Sequence, residues 1–255
     1  MQAPAFLVIA SAALFHLAAL SSANEGNILL TGDVLPTDGQ LSYGRNAFVM
    51  QDDCNLVLYN FGRGFQSDTH GAGANCTLSL SNHGALTITS AGATVWSSPG
   101  SKKGKYAAVL RPDGEVAVYG PALWATPDLN VRTSDAEVAS SEGAAAVRNL
   151  MFSGQSISAG AELASRDYTF RVEADCNLVL NKAGTGAVWQ SATAGRGVHC
   201  FARLDHRGQL ALVGDHDLKA VWSSKRTAGE GDYVLILQIN GQAVVYGPVV
   251  WSTST

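Results

Sequence analysis

The stretches "QDDCNLVLY" at residues 51–59 and "EADCNLVLN" at residues 173–181 are two copies of one nine-residue pattern. Successive side chains on a β-strand point to opposite faces. Read as a nine-residue strand, the first copy places Asp52, Cys54, Leu56 and Leu58 on one face. Cysteine and leucine suit a protein core, so this set is expected to point inward. The opposite set is mostly polar, and the core does not explain it.

The whole chain is a tandem duplication. Residues 27–59 align with residues 149–181, and "VAVYGPALWAT" at 116–126 aligns with "AVVYGPVVWST" at 243–253. Repeats of this length are best recognised before local structure is assigned. Within each half a shorter pattern recurs three times as an apolar alternating run, a turn and, in most copies, a tryptophan. Short alternating strands with Gly-rich turns predict an all-β fold with three strand sets in each half.

The tryptophans are expected to fill the centre of each half, because one follows almost every alternating run. In the first run of the first half, Phe65 stands at the tryptophan position. The five tryptophans are Trp96, Trp124, Trp189, Trp222 and Trp251.

Composition and motifs exclude several classes of function. The 255 residues include 46% hydrophobic and 15% charged residues, with a formal net charge of -4, so nucleic acid is not an expected partner. The sequence has no phosphate loop, zinc-protease motif or nucleophile elbow. Asp53 has no second carboxylate in its own row, and a glycosidase needs a pair across a cleft. We therefore expect a non-enzymatic protein without cofactor or metal.

The first 23 residues predict a secretory signal peptide. The segment is uncharged and apolar, with Ser21 and Ala23 placed for cleavage before Asn24. A membrane anchor is the alternative, although no charged flank follows and no other apolar run could span a bilayer. The sequence thus predicts entry into the secretory pathway, a secreted or vacuolar location and no membrane insertion of the mature protein.

Four cysteines are divided equally between the halves, and three pairings are open from their number alone. The repeat favours Cys54–Cys76 and Cys176–Cys200, because each half then holds one bridge. Each such loop contributes roughly 3 kcal/mol in the chain-entropy model. A zinc site is the competing reading, but the CxxC spacing that would favour it is missing.

The sequence predicts two domains, at 24–130 and 147–255, joined by a linker at 131–146. The joining stretch is rich in Ser, Ala, Asp and Glu and has no aromatic residue. Such a composition cannot bury enough apolar surface to order itself, so an exposed and cleavable linker is expected. A helix through "DAEVASSEGAAAVRNL" is the alternative.

The mostly polar row of the first copy consists of Gln51, Asp53, Asn55, Val57 and Tyr59. A carboxylate, two amides and a phenol beside an apolar patch suit the vicinal hydroxyls of a sugar. From the residues alone, a solvated strand face explains the row equally well.

The row matches the QxDxNxVxY signature and resembles the monocot mannose-binding lectins, also called bulb-type or snowdrop-type lectins. The resemblance extends over nearly all of 27–126 and 149–253. The chain is similar to the tandem-domain members of this family from aroid tubers. It implies two β-prism II domains, each with three four-stranded antiparallel sheets about a pseudo-threefold axis. It further implies that Asp53 and Asn55 bind the axial hydroxyl of mannose without a metal. Gln51 and Tyr59 would then bind neighbouring hydroxyls, and Val57 would contact the ring.

Two of the other rows keep part of the signature and are weaker candidate carbohydrate sites. In the second copy the central residues remain, whereas Glu173 and Asn181 replace the two ends. In the row at 238–246 both ends remain and the middle has changed. The retained residues of these two rows are Asp175, Asn177, Val179, Gln238, Asn240, Val244 and Tyr246. At 111–119, Arg111 faces Asp113 and Glu115, which predicts an ion pair.

Mannose-containing glycans and glycoproteins are the partners that the resemblance implies. One shallow site binds a sugar weakly, so useful binding needs several linked sites. Family members form dimers and tetramers by exchanging C-terminal strands, and "VVWSTST" at 249–255 is the matching segment. We therefore expect a homo- or hetero-oligomer of the two domains with a role in plant defence or storage. The alternative is a storage or protein-interaction relative that has lost most sugar binding.

Overall fold

The computed structural model describes residues 26–62, 64–129, 149–216, 218–224 and 227–254. The predicted signal peptide at 1–23 and the predicted linker at 131–146 lie outside these ranges. The described residues form strands, turns and connecting loops. A helix long and apolar enough to cross a membrane is not found among them.

Twenty-four short strands account for the regular structure of the described residues. The first twelve are β1 (Ile28–Leu30), β2 (Val34–Leu35), β3 (Gln40–Tyr43), β4 (Asn46–Met50), β5 (Leu56–Tyr59), β6 (Phe65–Gln66), β7 (Thr77–Leu80), β8 (Leu86–Ser90), β9 (Ala93–Ser97), β10 (Ala107–Leu110), β11 (Val116–Tyr119) and β12 (Ala122–Ala125). The next twelve are β13 (Leu150–Phe152), β14 (Ser156–Ser158), β15 (Glu162–Ser165), β16 (Tyr168–Val172), β17 (Leu178–Lys182), β18 (Gly186–Gln190), β19 (Phe201–Leu204), β20 (Leu210–Val213), β21 (Ala220–Ser223), β22 (Val234–Leu237), β23 (Ala243–Tyr246) and β24 (Val249–Ser252).

These strands form six antiparallel sheets of four strands each, three in each of two units. The first unit, here called the first prism, holds the sheets β3-β4-β5-β6, β2-β7-β8-β9 and β1-β10-β11-β24. The second prism holds β15-β16-β17-β18, β14-β19-β20-β21 and β12-β23-β22-β13. The all-β expectation, with three sheets per unit, is confirmed.

The two halves of the chain exchange their last strands. The C-terminal β24 pairs with β11 of the first prism, where Trp251 lies opposite Val118. In return, β12 pairs with β23 of the second prism, where Trp124 lies opposite Val245. The predicted domain at 24–130 therefore contributes β12 to the second prism, and the predicted domain at 147–255 contributes β24 to the first prism. The C-terminal exchange implied by the resemblance takes place here within one chain.

Three aromatic rings meet at the centre of each prism. In the first prism, Phe65, Trp96 and Trp251 contact one another edge-on, with centroids 5.6 to 6.4 Å apart. In the second prism, Trp124, Trp189 and Trp222 make the same arrangement at 5.6 to 5.8 Å. Edge-to-face rings at these separations attract beyond their area burial. The expected central position of the tryptophans, and of Phe65, is confirmed.

The two prisms pack through the outer faces of the sheets that exchange strands. Every residue of β10, β11, β22 and β23 is buried. One face of each strand points into its own prism, and the other joins an apolar cluster that includes Val109, Tyr119, Val244 and Tyr246. A strand buried on both faces reads as a continuous apolar run, as "VLIL" and "AVVY" do.

One disulfide ties each prism, with the pairing that the repeat favours. Cys54 bonds to Cys76, and Cys176 bonds to Cys200. All four side chains are buried, next to the leucines of the neighbouring strands. Each bridge fixes the loop that precedes β5 or β17 to the start of the next sheet.

Candidate functional site

The polar row of the first prism begins on a turn rather than on a strand. The amide of Cys54 donates to the carbonyl of Gln51 at 3.1 Å, and Cys54 has a φ of +73°. Strand β5 starts only at Leu56, opposite Met50. The expected nine-residue strand is therefore wrong over 51–55, and Asp52 is exposed rather than core-facing. The chain has to reverse between β4 and β5, and these residues form the reversal.

The alternation that the sequence predicts does hold along β5 itself. Leu56 and Leu58 are buried, Val57 is half-buried and Tyr59 is 51% exposed. Val57 lies opposite Val49 on β4, so two valines form a small apolar floor on the outer face. The polar residues of the turn border this floor on one side.

Asn55 is the most firmly held member of the row. Its side chain is only 8% exposed. The Oδ1 atom accepts hydrogen bonds from Ser67 Oγ and from the Thr69 amide, each at 3.2 Å. These two bonds fix the amide plane and orient the Nδ2 group. Within the described residues, Nδ2 donates to no protein acceptor.

The neighbours of Asn55 are more exposed and complete a set of donors and acceptors. Asp53 Oδ1 accepts from the Asn55 amide at 2.9 Å, and the rest of this carboxylate faces solvent. Gln51 Nε2 donates to Tyr59 Oη at 2.8 Å across the row. The five predicted residues thus lie on the turn between β4 and β5 and on β5 itself, where they supply a carboxylate, two amides, a phenol and a valine.

The second prism builds the same loop, but its row is occupied by its own side chains. Asn177 again accepts from Ser191 Oγ and the Thr193 amide, each at 3.1 Å. Its Nδ2, however, donates to Gln190 Oε1 at 3.0 Å. Asn55 makes no corresponding bond to Gln66, although both residues lie in the described ranges. The amide donor that is free in the first prism is therefore used internally in the second.

The altered ends of the second row are also engaged or covered. Glu173 accepts from Arg171 Nε at 2.9 Å, so its carboxylate is held by an ion pair. Val179 is buried, unlike the half-buried Val57. Asn181 Nδ2 is buried without a hydrogen-bond partner among the described residues. Asp175 still accepts from the Asn177 amide at 3.0 Å, so only the middle of the row keeps its geometry.

The weaker candidate at 238–246 lies in the interface between the prisms. Val244 is 4% exposed and Tyr246 is 2% exposed, since both belong to the inter-prism cluster. Gln238 Nε2 donates to Tyr246 Oη at 2.6 Å, which repeats the bond between Gln51 and Tyr59 in a buried setting. Asn240 is exposed, but it is the only accessible residue of the four. The structure thus argues against a site here, because the packing of one prism on the other covers the row.

The row at 111–119 forms the expected ion pair. Arg111 bonds to Asp113 and lies 3.0 Å from the Glu115 carboxylate. Partial burial acts to raise the pKa of Asp113, but the hydrogen bonds from Arg111 and from the Glu115 amide, together with the positive charge of Arg111, outweigh it, and the pKa lies below its usual value. With the guanidinium engaged and Tyr119 buried in the interface, this row has no open donor set.

The residues that hydrogen-bond to Asn55 and fix its side chain were not identified from the sequence. Ser67 and Thr69 are both buried, and Thr69 Oγ1 also donates to the Cys54 carbonyl at 2.7 Å. Ser191 and Thr193 hold Asn177 in the same way. The signal was present in the repeat, because "QSDT" at 66–69 corresponds to "QSAT" at 190–193.

Comparison with known proteins gives relatives over almost the whole chain. Mannose-specific lectin 2 of Crocus vernus is 55% identical over 249 residues, which cover 95% of this chain and 93% of the relative. Mannose-specific lectin 2 of Colocasia esculenta is 44% identical over 236 residues, which cover 90% of this chain and 85% of the relative. No family model matches the chain.

A solved structure matches both prisms together. The native fetuin-binding agglutinin of Scilla campanulata, a two-domain lectin, superimposes with a TM-score of 0.78 at 30% identity. The match covers 89% of this chain and 99% of that protein. The fold and its relatives define the class of two-domain β-prism II lectins, which are carbohydrate-binding proteins and not enzymes. The chain belongs to the family of the mannose-specific lectins of Crocus and Colocasia.

Proposed function

We propose that the protein binds mannose and mannose-rich glycans through Gln51, Asp53, Asn55, Val57 and Tyr59. The observation that carries this proposal is the free Nδ2 donor of Asn55, fixed in orientation by Ser67 and Thr69 and adjacent to the Asp53 carboxylate. The equivalent donor of the second prism is bonded internally. The mannose specificity named for the Crocus and Colocasia relatives supports the choice of sugar.

The chemistry of the row matches a sugar with one axial hydroxyl. Such a hydroxyl can accept from the Asn55 amide and donate to the Asp53 carboxylate at the same time. Tyr59 and Gln51 exchange their mutual bond for bonds to neighbouring hydroxyls, and the valine floor covers the apolar face of the ring. Four or five net hydrogen bonds of about 0.5–1.5 kcal/mol each have to offset the cost of association. A single site is therefore weak.

Weak single sites make assembly part of the proposed function. The first prism offers one complete row per chain, so several chains have to join before a branched glycan is held at more than one point. We propose a dimer or tetramer of the mature protein, which begins at Asn24 and has passed through the secretory pathway to a vacuolar or extracellular location. We further propose that the linker at 131–146 is cleaved. The proposed role of the protein is plant defence or storage.

Titration of the mature protein with methyl α-mannoside tests the assignment of the row. Asp53→Ala removes the exposed acceptor, and hydrogen bonds to a charged group are worth about 1.5–3 kcal/mol. The affinity should fall by at least about tenfold. Asp175→Ala makes the same change in the second prism and is the matched control, which should leave the affinity unchanged. The thermal midpoints of both variants monitor folding.

Each other outcome has a definite meaning. A loss of affinity in Asp175→Ala but not in Asp53→Ala would place the sugar in the second prism. Wild-type protein that binds neither methyl α-mannoside nor a mannose-rich glycan would contradict the proposal and favour a storage or interaction protein with this fold.

A further inference from the structure

Phe61 is the most exposed large apolar side chain among the described residues, at 81%. It follows Tyr59 by two positions, just past the end of β5. A lone exposed apolar residue is ordinary on a protein surface. An aromatic ring beside a candidate binding row is a stronger indication of function, because exposed aromatic area is a common feature of interaction sites.

The outer face of the row continues beyond Tyr59 to Phe61. The intervening Asn60 turns the other way, since its Nδ2 donates to the carbonyl of Gly114 at 2.8 Å. Tyr59 lies opposite Ala47 on β4. The next outward pair along the two chains consists of Phe61 and Arg45, and the Arg45 guanidinium lies 6.0 Å from the centre of the Phe61 ring. That separation is typical of a cation–π contact.

The chain provides its own comparison for this feature. The residue two positions beyond the last row position is aromatic only after the complete row. The five incomplete rows lie at 81–89, 111–119, 173–181, 205–213 and 238–246, and after them this position holds Ala91, Pro121, Ala183, Asp215 and Pro248, respectively. In the second prism, Asp167 stands at the place of Arg45 and lies 3.9 Å from Lys182. The aromatic ring and its arginine thus occur together with the complete row and are both missing from its closest copy.

We propose that Phe61 and Arg45 form a second subsite that holds the next sugar residue of a mannose oligosaccharide. The inference rests on the function proposed for the row at 51–59. A pyranose ring has one face made of C–H groups, which packs on an aromatic ring, while its edge carries hydroxyls. Phe61 supplies the apolar surface, and Arg45 supplies donors for a hydroxyl at the edge. This subsite raises the affinity for longer oligosaccharides and does not determine which sugar binds in the first site.

Titration with two ligands, methyl α-mannoside and α-linked mannotriose, tests the subsite. The wild-type protein should bind the trisaccharide more tightly than the monosaccharide. Phe61→Ala should weaken trisaccharide binding by about 3- to 10-fold and leave monosaccharide binding within about twofold, as expected for one aromatic contact. Val198→Ala is the matched control, because Val198 is also exposed, at 60%, but lies in the second prism. It should change neither affinity.

Several results would overturn the subsite while leaving the proposed function intact. These are a wild-type protein without preference for the trisaccharide, or a Phe61→Ala protein that retains the full preference. An equal loss for both ligands would make Phe61 part of the first site. If light scattering shows that Phe61→Ala changes the oligomeric state while the preference persists, the ring serves self-assembly instead. Failure of the function itself is read separately, from unchanged monosaccharide binding in Asp53→Ala.

Discussion

Trp251 packs edge-to-face against Phe65, with ring centroids 5.6 Å apart and ring planes at 85°. The two residues come from opposite halves of the chain, so the last strand completes the core of the first prism. Trp124 makes the reciprocal contact with Trp189, which stands at the position of Phe65, with ring centroids 5.8 Å apart. Each half therefore lacks one central ring of its own and depends on the other half for it.

Trp251→Ala should destabilise the first prism more than the second. Removing an aromatic side chain from a packed core costs about 3–5 kcal/mol, and partial burial of Trp251 favours the lower end. Amide hydrogen exchange should accelerate in β5 and β8 and remain slow in β17 and β20. Trp124→Ala is the matched control and should show the reverse pattern. Equal loss of protection in both prisms from either change would argue against two separate cores.

Proteolytic cleavage within 131–146 should leave the two pieces bound to each other. The first piece carries β12, which is built into the second prism, and the second piece carries β24, which is built into the first. The interface also buries apolar side chains such as Val109 and Val244. Light scattering should give the same molecular mass for the cleaved protein as for the uncleaved protein, in whatever oligomeric state the uncleaved protein has. Separation of the pieces in native buffer would mean that the exchange is too weak to hold them.

The sequence predicted the parts of the fold that depend on local pattern. Alternation along β5, the central aromatic rings and the pairing of Cys54 with Cys76 follow from the repeat and from the periodicity of strands. The destination of the last strands was not predictable locally, because "VYGPALW" and "VYGPVVW" are almost the same and either fits either prism. The C-terminal segment entered the prediction only through the resemblance.

The candidate site was predicted as a set of residues but not as a geometry. The nine-residue strand assumed for 51–59 overlooked the reversal that pairs Met50 with Leu56. The row at 238–246 was a candidate because its residue types fit, whereas the apolar run "VLIL" just before it and the run "AVVY" within it are typical of strands buried on two faces. The internal bond between Asn177 and Gln190 depends on side-chain conformation, which no spacing in the sequence reveals.

Ser67→Ala should reduce mannose affinity without removing any proposed ligand contact. The Ser67 hydroxyl donates to Asn55 Oδ1 and accepts from the Leu56 amide, so its loss loosens the amide that faces the sugar. We expect a fall of about 3- to 10-fold in affinity, with about 1–3 kcal/mol of stability lost because buried partners are left unpaired. Titration with methyl α-mannoside and denaturant unfolding measure the two effects.

Ser191→Ala is the control for that prediction, since Ser191 makes the same bonds to Asn177 and Leu178. It should cost similar stability and leave the affinity unchanged. Equal affinity in wild-type protein and Ser67→Ala would show that Thr69 alone orients Asn55.

High pH should lower the free energy of unfolding, because buried tyrosines of the interface between the prisms ionise. Burial is the main cause that raises the pKa of both Tyr119 and Tyr246 above the ordinary value, although Arg111 opposes it at Tyr119 and Gln238 opposes it at Tyr246. The folded state thus favours the protonated phenols. Their contribution to stability is fully present below the unfolded pKa of about 10 and is lost as the pH rises above it.

Denaturant unfolding across the alkaline range, followed together with tyrosinate absorbance, measures this loss. We expect these two residues to leave stability unchanged up to about pH 9 and to lower it steeply above about pH 10. The double variant Tyr119→Phe with Tyr246→Phe cannot ionise at these positions, so its stability should fall less over the same range. An identical fall in the variant would assign the alkaline loss to lysines or to the other tyrosines and would contradict the role of the interface phenols.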